Sequence, residues 1–199
     1  MSQQPNIRRA TLTRKTSETN VTVELCLDGG DYEIDTGVGF FNHMLDHVAR
    51  HGQLGLKIQA KGDHHIDDHH TIEDVGILLG QALDQAPGDK KGIERYGFAS
   101  VPMDEALARV SIDLSGRSSL TYGVQFVEEG GKIGHFDTQL VREFLVALTS
   151  NGRFNCHIEA PCGDNNHHIA EAIFKALGRS LRQAVLITGN QIPSTKGLL

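Results

Sequence analysis

The residues able to do chemistry are concentrated in two short stretches. Gly62-Asp-His-His-Ile-Asp-Asp-His-His-Thr-Ile-Glu-Asp-Val-Gly76 carries His69, His70 and Glu73, and Gly163-Asp-Asn-Asn-His-His-Ile-Ala-Glu-Ala-Ile-Phe-Lys175 carries His167, His168 and Glu171. Both reduce to His-His-x-x-Glu and an apolar run, 98 residues apart, and their tails match too, Leu78-Leu79-Gly80 against Ala176-Leu177-Gly178. On a helix, His69 and Glu73 stand at i and i+4, and His70 and Glu73 at i and i+3, so each pair shares a face. Adjacent histidines lie about 100° apart around the axis, too divergent to grip one ion together. Each helix then offers two ligand directions, suited to two separate metals. Imidazole plus carboxylate suits Zn, Mn, Fe or Ni, the choice depending on geometry and hardness. One copy alone equally describes a solvated helix start with acidic residues favoured by the dipole. Two matched copies favour metal binding.

The elements that must position these residues read as follows. Ala10 to Leu27 alternates over its second half and is rich in β-branched residues, which predicts one long strand or two ending at Asp28-Gly29-Gly30; Ile34 to Thr36 is a short partner strand. Phe40 to Gly52 is an amphipathic helix with a glycine stop, carrying His43, His47 and His51 one turn apart. Leu54 to Ala60 is a strand leading into the first His-His helix, which runs to about Asp84, and Pro87 to Gly92 is the strongest internal punctuation. The second half repeats the first: Glu105 to Arg117 parallels Glu18 to Gly30, Leu120 to Val127 is a strand, and Phe136 to Ser150 is a helix. Asn155 to Glu159 is a strand before the second His-His helix, which ends near Ile187. The expected fold is α+β, two β-β-α-β-α half-domains (1–90 and 91–199) forming one compact catalytic unit, two sheets with helices packed between or against them.

Composition narrows the function. With 39% hydrophobic and 22% charged residues the 199-residue chain reads as an ordinary globular protein, and a net charge of -6 gives no nucleic-acid footprint. Met1 to Arg9 lacks the apolar core of a signal peptide, and no apolar run approaches the roughly 20 residues that span a bilayer, so no membrane partner is expected. Cys26, Cys156 and Cys162 lack metal-ligand spacing and read as reduced thiols of a cytoplasmic protein. The unusual count is 11 histidines.

Five motifs together resemble the imidazoleglycerol-phosphate dehydratase family of histidine biosynthesis. They are Phe-x-x-His-Met-Leu-Asp-His-x-x-x-His-Gly (40–52), Asp-His-His-Thr-x-Glu-Asp (68–74), Leu-Ser-Gly-Arg (114–117), Asn-x-His-His-x-x-Glu-Ala-x-Phe-Lys-Ala (165–176) and Ile-Pro-Ser-Thr-Lys-Gly (192–197), collinear from about residue 7 to 197. The resemblance implies a duplicated α+β fold, two Mn²⁺ per active site, and a 24-subunit homo-oligomer with sites between subunits. It implies one ion on His69, His167, Glu171 and a residue of the 136–150 helix, and the other on His43, His70, Glu73 and His168. The family often has histidine where this protein has Glu143, 24 residues before His167, and Glu143 is taken as a substituted ligand. His135, ahead of the helix, is its competitor. A carboxylate there hardens the site and favours Mn²⁺ or Fe²⁺ over Zn²⁺. For substrate binding the resemblance points to Arg95, Arg117, Lys175, Ser194 and Lys196 on the phosphate, with His47 and His51 assisting. Glu18, in a strand, resembles the acid/base residue, with His70 as its catalytic companion.

The implied reaction converts imidazole glycerol phosphate to imidazole acetol phosphate. The departing proton sits on a carbon of little acidity, so two metals on the imidazole nitrogens would stabilise the charge its removal creates. Two other readings compete. A dinuclear metallohydrolase of phosphate esters would use His64-His-Ile-Asp-Asp-His69, near a His-x-His-x-Asp-His motif, but Ile66 breaks it and the duplication is unexplained. A metal-storage protein has no use for the arginines and lysines named above.

Overall fold

The computed structural model describes residues 8–127 and 131–199. The opening stretch takes the two-strand form, β1 (Arg9–Lys15) pairing antiparallel with β2 (Asn20–Cys26). The chain reverses because Thr16 Oγ1 accepts the N–H groups of Glu18 and Thr19 at 3.1 and 2.9 Å, a hydroxyl standing in for a backbone acceptor. Glu18, expected inside a strand, is therefore exposed in this turn. There follow β3 (Tyr32–Asp35), α1 (Gly39–Gly52), β4 (Gly55–Lys61) and α2 (His69–Gln85). The second half continues with β5 (Tyr96–Met103), β6 (Ala106–Asp113), β7 (Ser119–Gly123), a two-strand ribbon of β8 (Lys132–Ile133) and β9 (Phe136–Asp137), α3 (Gln139–Gly152), β10 (Asn155–Cys162) and α4 (Asn166–Ala184).

The sheets run β1-β2-β4-β3 and β5-β6-β10-β7, the same arrangement twice. The fold is thus α+β and internally duplicated, as the sequence indicates. With the opening hairpin counted, each half reads β-β-β-α-β-α, and the ribbon is an insertion in the second. Several bounds differ from those expected. β5 gives little strand signal because it contains Gly97 and Pro102; as an edge strand it tolerates the proline. β7 stops at Gly123 rather than reaching Val127, since its partner β10 bulges after Glu159 and the ladder ends. α3 begins at Gln139 rather than Phe136: Phe136 is buried in the ribbon, and Asp137 Oδ1 accepts the Gln139 N–H at 3.1 Å, starting the helix.

Both sheets bury one face. Val21, Val23 and Leu25 alternate inward on β2 with Thr22 and Glu24 outward, and Ala108, Val110 and Ile112 do the same on β6. The helices lie between the two sheets in cross-half pairs, α1 on α4 and α2 on α3. Glycines set how closely they pack. A Cβ on Gly178 would stand 2.7 Å from the Val48 carbonyl oxygen, and one on Gly80 2.5 Å from that of Leu148. The matched Leu-Gly tails of the two motifs are therefore packing notches, each against the last turn of the partner helix at Gly52 or Gly152. Phe144 joins the pairs at the centre, edge-on to Phe41 at 5.1 Å and stacked on Phe174 at 5.6 Å. The buried apolar side chains form one cluster drawn from both halves.

Candidate active site

The two His-His motifs open α2 and α4, and local hydrogen bonds fix both openings. Asn165 caps α4, its side-chain oxygen accepting the N–H of His167 at 2.9 Å and of His168 at 3.3 Å. On α2, Asp67 Oδ1 accepts the His69 N–H at 2.8 Å. The helical twist then turns each pair of rings apart. His69 and His70 lie 6.1 Å apart with ring planes 86° from parallel, and His167 and His168 lie 6.2 Å apart at 84°. Each doublet serves two directions.

One direction from α4 faces α1. The close crossing at Gly178 brings His167 within 5.9 Å of His43, ring to ring, while Phe40 stands edge-on to His167 at 5.3 Å. His47 Nε2 is 2.8 Å from Glu171 Oε1 and 3.3 Å from His43 Nε2; His167 Nε2 is 3.5 Å from Glu171 Oε2. Lys175 Nζ donates to Glu171 Oε1 at 2.8 Å and lies 3.3 Å from Met103 Sδ. His51 stacks below His47 at 5.7 Å. Among the described residues, His43, His47 and Glu171 are the one group of three or more His, Cys, Asp and Glu whose ligand atoms all lie within 4.8 Å of one another.

Burial pushes His47 down to about 4; the Glu171 carboxylate opposes this, and His43, Lys175 and His51 add to the fall. Burial outweighs the ion pair, so the imidazole is neutral at pH 7. His51 is also lowered, by burial and then by Lys175, Arg179 and Arg50. Burial works to raise Glu171, yet Lys175, His47 and His167 together hold it below its ordinary value. A neutral imidazole beside an ionised carboxylate is the protonation state that a divalent transition-metal cation needs.

The other direction of each doublet meets carboxylates. His70 Nδ1 lies 3.0 Å from Asp63 Oδ2 and 3.9 Å from Glu18 Oε2. His168 Nδ1 lies 2.8 Å from Glu105 Oε2, with Asp104 Oδ2 3.7 Å from its Nε2. The hydrogen bonds raise both histidines above their usual values and hold Asp63 low and Glu105 at about 2. Asp63 and Glu105 escape a motif reading. Glu105 nevertheless had a signal, since it occupies the place of Glu18 in the repeat, each in the turn between the first two strands of its half.

Neither four-ligand set closes within the chain among the described contacts. His43 lies with Glu171 and His167, and the described contacts do not bring it to His70, Glu73 or His168. Glu143 is half-buried on α3 with Arg142 NH1 3.6 Å away, at the fifth position of its 14-residue helix, where His43 stands on α1. His135 is exposed in the turn of the ribbon. The expected phosphate groups divide. Arg95, Arg117, Ser194 and Lys196 line a cleft of about 180 Å³ beneath the C-terminal segment, whereas Lys175 belongs to the histidine cluster. Arg95 is largely committed, to Asp113 through two contacts of 2.6 and 3.1 Å and to the Pro193 carbonyl at 2.8 Å. No helix among the described residues is long and apolar enough to cross a membrane.

Comparison with known proteins gives a consistent set of relatives. A family model described as imidazoleglycerol-phosphate dehydratase matches residues 36–181. The imidazoleglycerol-phosphate dehydratase of Ruegeria pomeroyi is 54% identical over 197 residues, covering 97% of this chain and 100% of the relative. That of Magnetococcus marinus is 54% identical over 196 residues, covering 96% and 98%. The crystal structure of the Staphylococcus aureus imidazoleglycerol-phosphate dehydratase superposes with a TM-score of 0.80 at 42% identity, covering 92% of this chain and 100% of that one. That of Pyrococcus furiosus, in complex with (S)-C348, gives 0.78 at 36%, covering 94% and 100%.

Proposed function

The chain belongs to the imidazoleglycerol-phosphate dehydratase family of hydro-lyases, and we propose that it dehydrates imidazole glycerol phosphate to imidazole acetol phosphate in histidine biosynthesis, in the cytoplasm, with two Mn²⁺ ions per active site. The observation that carries the metal requirement is the duplicated pair of diverging histidine doublets, each with a glutamate one turn on. One ion would take His69, His167, Glu171 and Glu143, the other His43, His70, Glu73 and His168. His43, from the second set, lies beside His167 and Glu171 from the first, so residues of both sets meet on the α1–α4 face. Of the remaining ligands, His69, His70 and Glu73 open α2, Glu143 is on α3, and His168 is turned to Glu105. This favours sites completed by neighbouring subunits of a homo-oligomer, a 24-subunit assembly in the family's manner.

The cations, when bound, would hold the imidazole nitrogens and draw off the charge left on the ring as the carbon-bound proton departs. The protein's own groups do the rest. Glu18, exposed on its turn and 3.9 Å from His70, is placed to accept that proton and return one to the leaving hydroxyl. Arg117, Ser194 and Lys196 receive the phosphate, with Arg95 holding the Pro193 backbone so that the segment stays in place. His47, neutral at working pH and 2.8 Å from Glu171, assists in holding the substrate.

The test is direct. Chelated protein, with and without restored Mn²⁺, is incubated with imidazole glycerol phosphate, and proton NMR follows loss of the substrate's glycerol C–H signals. Ketone formation only with Mn²⁺ is expected. Release of inorganic phosphate instead would replace this reading with the metallohydrolase, and dehydration in full chelation would remove the metals from the chemistry.

A further inference from the structure

Glu105 takes no part in the reaction as described, yet its carboxylate ties three groups together. Oε1 accepts the backbone N–H groups of Asp164 and Asn165 at 3.3 and 3.1 Å, and Oε2 meets His168 Nδ1 at 2.8 Å. It reaches them from a two-residue turn between β5 and β6, where Met103 pairs with Ala106 and Asp104 takes the left-handed conformation at φ 48°. The same side chain thus pins the loop before α4 and fixes one ring of the doublet. A carboxylate on Nδ1 accepts that nitrogen's proton and leaves Nε2 as the lone-pair donor, the arrangement that orients metal-binding histidines. On the Nε2 side, among the described residues, stands the exposed Asp104 carboxylate, 3.7 Å away.

The first half solves the same problem with a different residue. There Asp63 holds His70 Nδ1 at 3.0 Å, and Glu18, which stands where Glu105 stands in the repeat, is left 3.9 Å off and exposed. The duplicated glutamate has therefore divided its roles: Asp63 frees Glu18 for proton transfer, whereas Glu105 is bound into the scaffold. His70 and His168, the two histidines so held, fall in the same proposed four-ligand set. His69 and His167, in the other set, have no such carboxylate on Nδ1 among the described contacts; His167 meets Glu171 through Nε2.

We infer that Glu105 is a positioning residue for one of the two metal ions, locking His168 with Nε2 outward, and that Asp63 does the same for His70 at that same ion. The inference rests on the two-ion reading above. Glu105→Gln is the sharpest variant, because the amide keeps an acceptor for the loop N–H groups but presents N–H to Nδ1 and so drives the proton onto Nε2. Metal-free wild type, Glu105→Gln, Asp63→Asn and Glu18→Gln are each titrated with Mn²⁺, and the EPR signal of free Mn²⁺ counts sites and affinities. Wild type is expected to bind two ions per protomer. Glu105→Gln and Asp63→Asn should each weaken one ion about 10- to 100-fold and spare the other, and the double variant should still spare it. Glu18→Gln should bind both ions normally while losing turnover. Wild type without bound Mn²⁺ would remove the two-ion reading and this inference with it. Two ions in wild type, with both affinities unchanged in Glu105→Gln or with the two variants weakening different ions, would overturn the inference alone. If Glu105→Gln does not fold, Glu105→Asp, which keeps the charge but shortens the reach to Nδ1, is read by the same titration.

Discussion

Replacing Gly178 by alanine should destabilise the protein although alanine is the better helix former. The residue lies inside α4, where the propensity gain is about 1 kcal/mol. Its new Cβ would stand 2.7 Å from the Val48 carbonyl oxygen, 3.0 Å from Gly52 N and 3.1 Å from Val48 Cα, all backbone atoms of α1. Ordinary contact begins at 3.4 Å, so the helices must part by several tenths of an ångström. Overpacking of this kind costs about 1–3 kcal/mol, and clashes with backbone rather than side-chain atoms put it toward the upper end, leaving a net loss of up to about 2 kcal/mol. In a protein of this size that lowers Tm by up to roughly 8 °C. Gly80→Ala, with contacts of 2.5 and 2.8 Å to Leu148 O and Gly152 N, should lose at least as much. Gly39→Ala, whose Cβ meets nothing within 4 Å, should not lose stability. The measurement is thermal unfolding by circular dichroism in chelator, at one protein concentration because assembly shifts Tm. The two crossings also differ in consequence: α1 and α4 carry the His47–Glu171 contact, so Gly178→Ala should weaken Mn²⁺ binding as well. A Tm that rises in Gly178→Ala would show that propensity governs and that the spacing of these helices is soft.

Two further outcomes follow from the cluster. His47 is held at about 4 against an ordinary 6.5, so above pH 6.5 neither folded nor unfolded protein gains a proton there and stability is unaffected; between 6.5 and 4 the unfolded state binds the proton first and metal-free stability falls, by less than the ~3 kcal/mol of the full shift because solvent screens a half-buried ring. His70 and His168 are raised and act in the opposite sense, losing stability as pH rises past 6.5, so denaturant midpoints should be compared with those of His47→Gln, which is expected to flatten the acid limb; an unchanged limb would refute the assignment. Glu143→Gln should weaken one Mn²⁺ much more than the other, and His135→Ala neither, because Glu143 alone holds the helical position of His43; a metal lost from His135→Ala by calorimetric titration would reverse that choice.

What the sequence made legible was whatever repeats or recurs with helical period. His-His-x-x-Glu appears twice, and the divergence of the doublets follows from 3.6 residues per turn without any tertiary information. The strand β5 was hidden because Gly97 and Pro102 carry a weak strand signal, although Gly97 is there to let α4 approach: a Cβ would fall 1.9 Å from the Ser180 carbonyl. Phe136 read as the first residue of a helix and is instead the buried end of a ribbon. Glu18 read as a strand residue because Thr16 and Thr19 are themselves good strand formers; the hydrogen bond that turns the backbone is a choice of one hydroxyl. The cross-half helix pairing was also invisible to periodicity, which shows that a helix has an apolar face but not which helix will meet it. The matched Leu-Gly tails held that information in the glycines.

The asymmetry between the halves is what turns a duplication into a site. Two identical halves would present two equivalent doublets, each with the same glutamate beside its second histidine. Here α1 carries His43, His47 and His51 where α3 carries Glu143, Ala147 and Asn151, so among the described residues the histidine cluster gathers on the α1–α4 face. Lys175 and Glu171 complete that face, and their counterparts on α2, Ile77 and Glu73, do not pair as an ion pair. The doublet on α2 has carboxylate partners only on its His70 side among the described contacts, whereas the α1–α4 face gathers further imidazoles around Glu171. On the two-ion reading proposed above, such a chain would satisfy its α2 ligands by presenting them to the α1–α4 face of another copy. That arrangement needs no change in either helix pair, since both are fixed by backbone contact at Gly80 and Gly178.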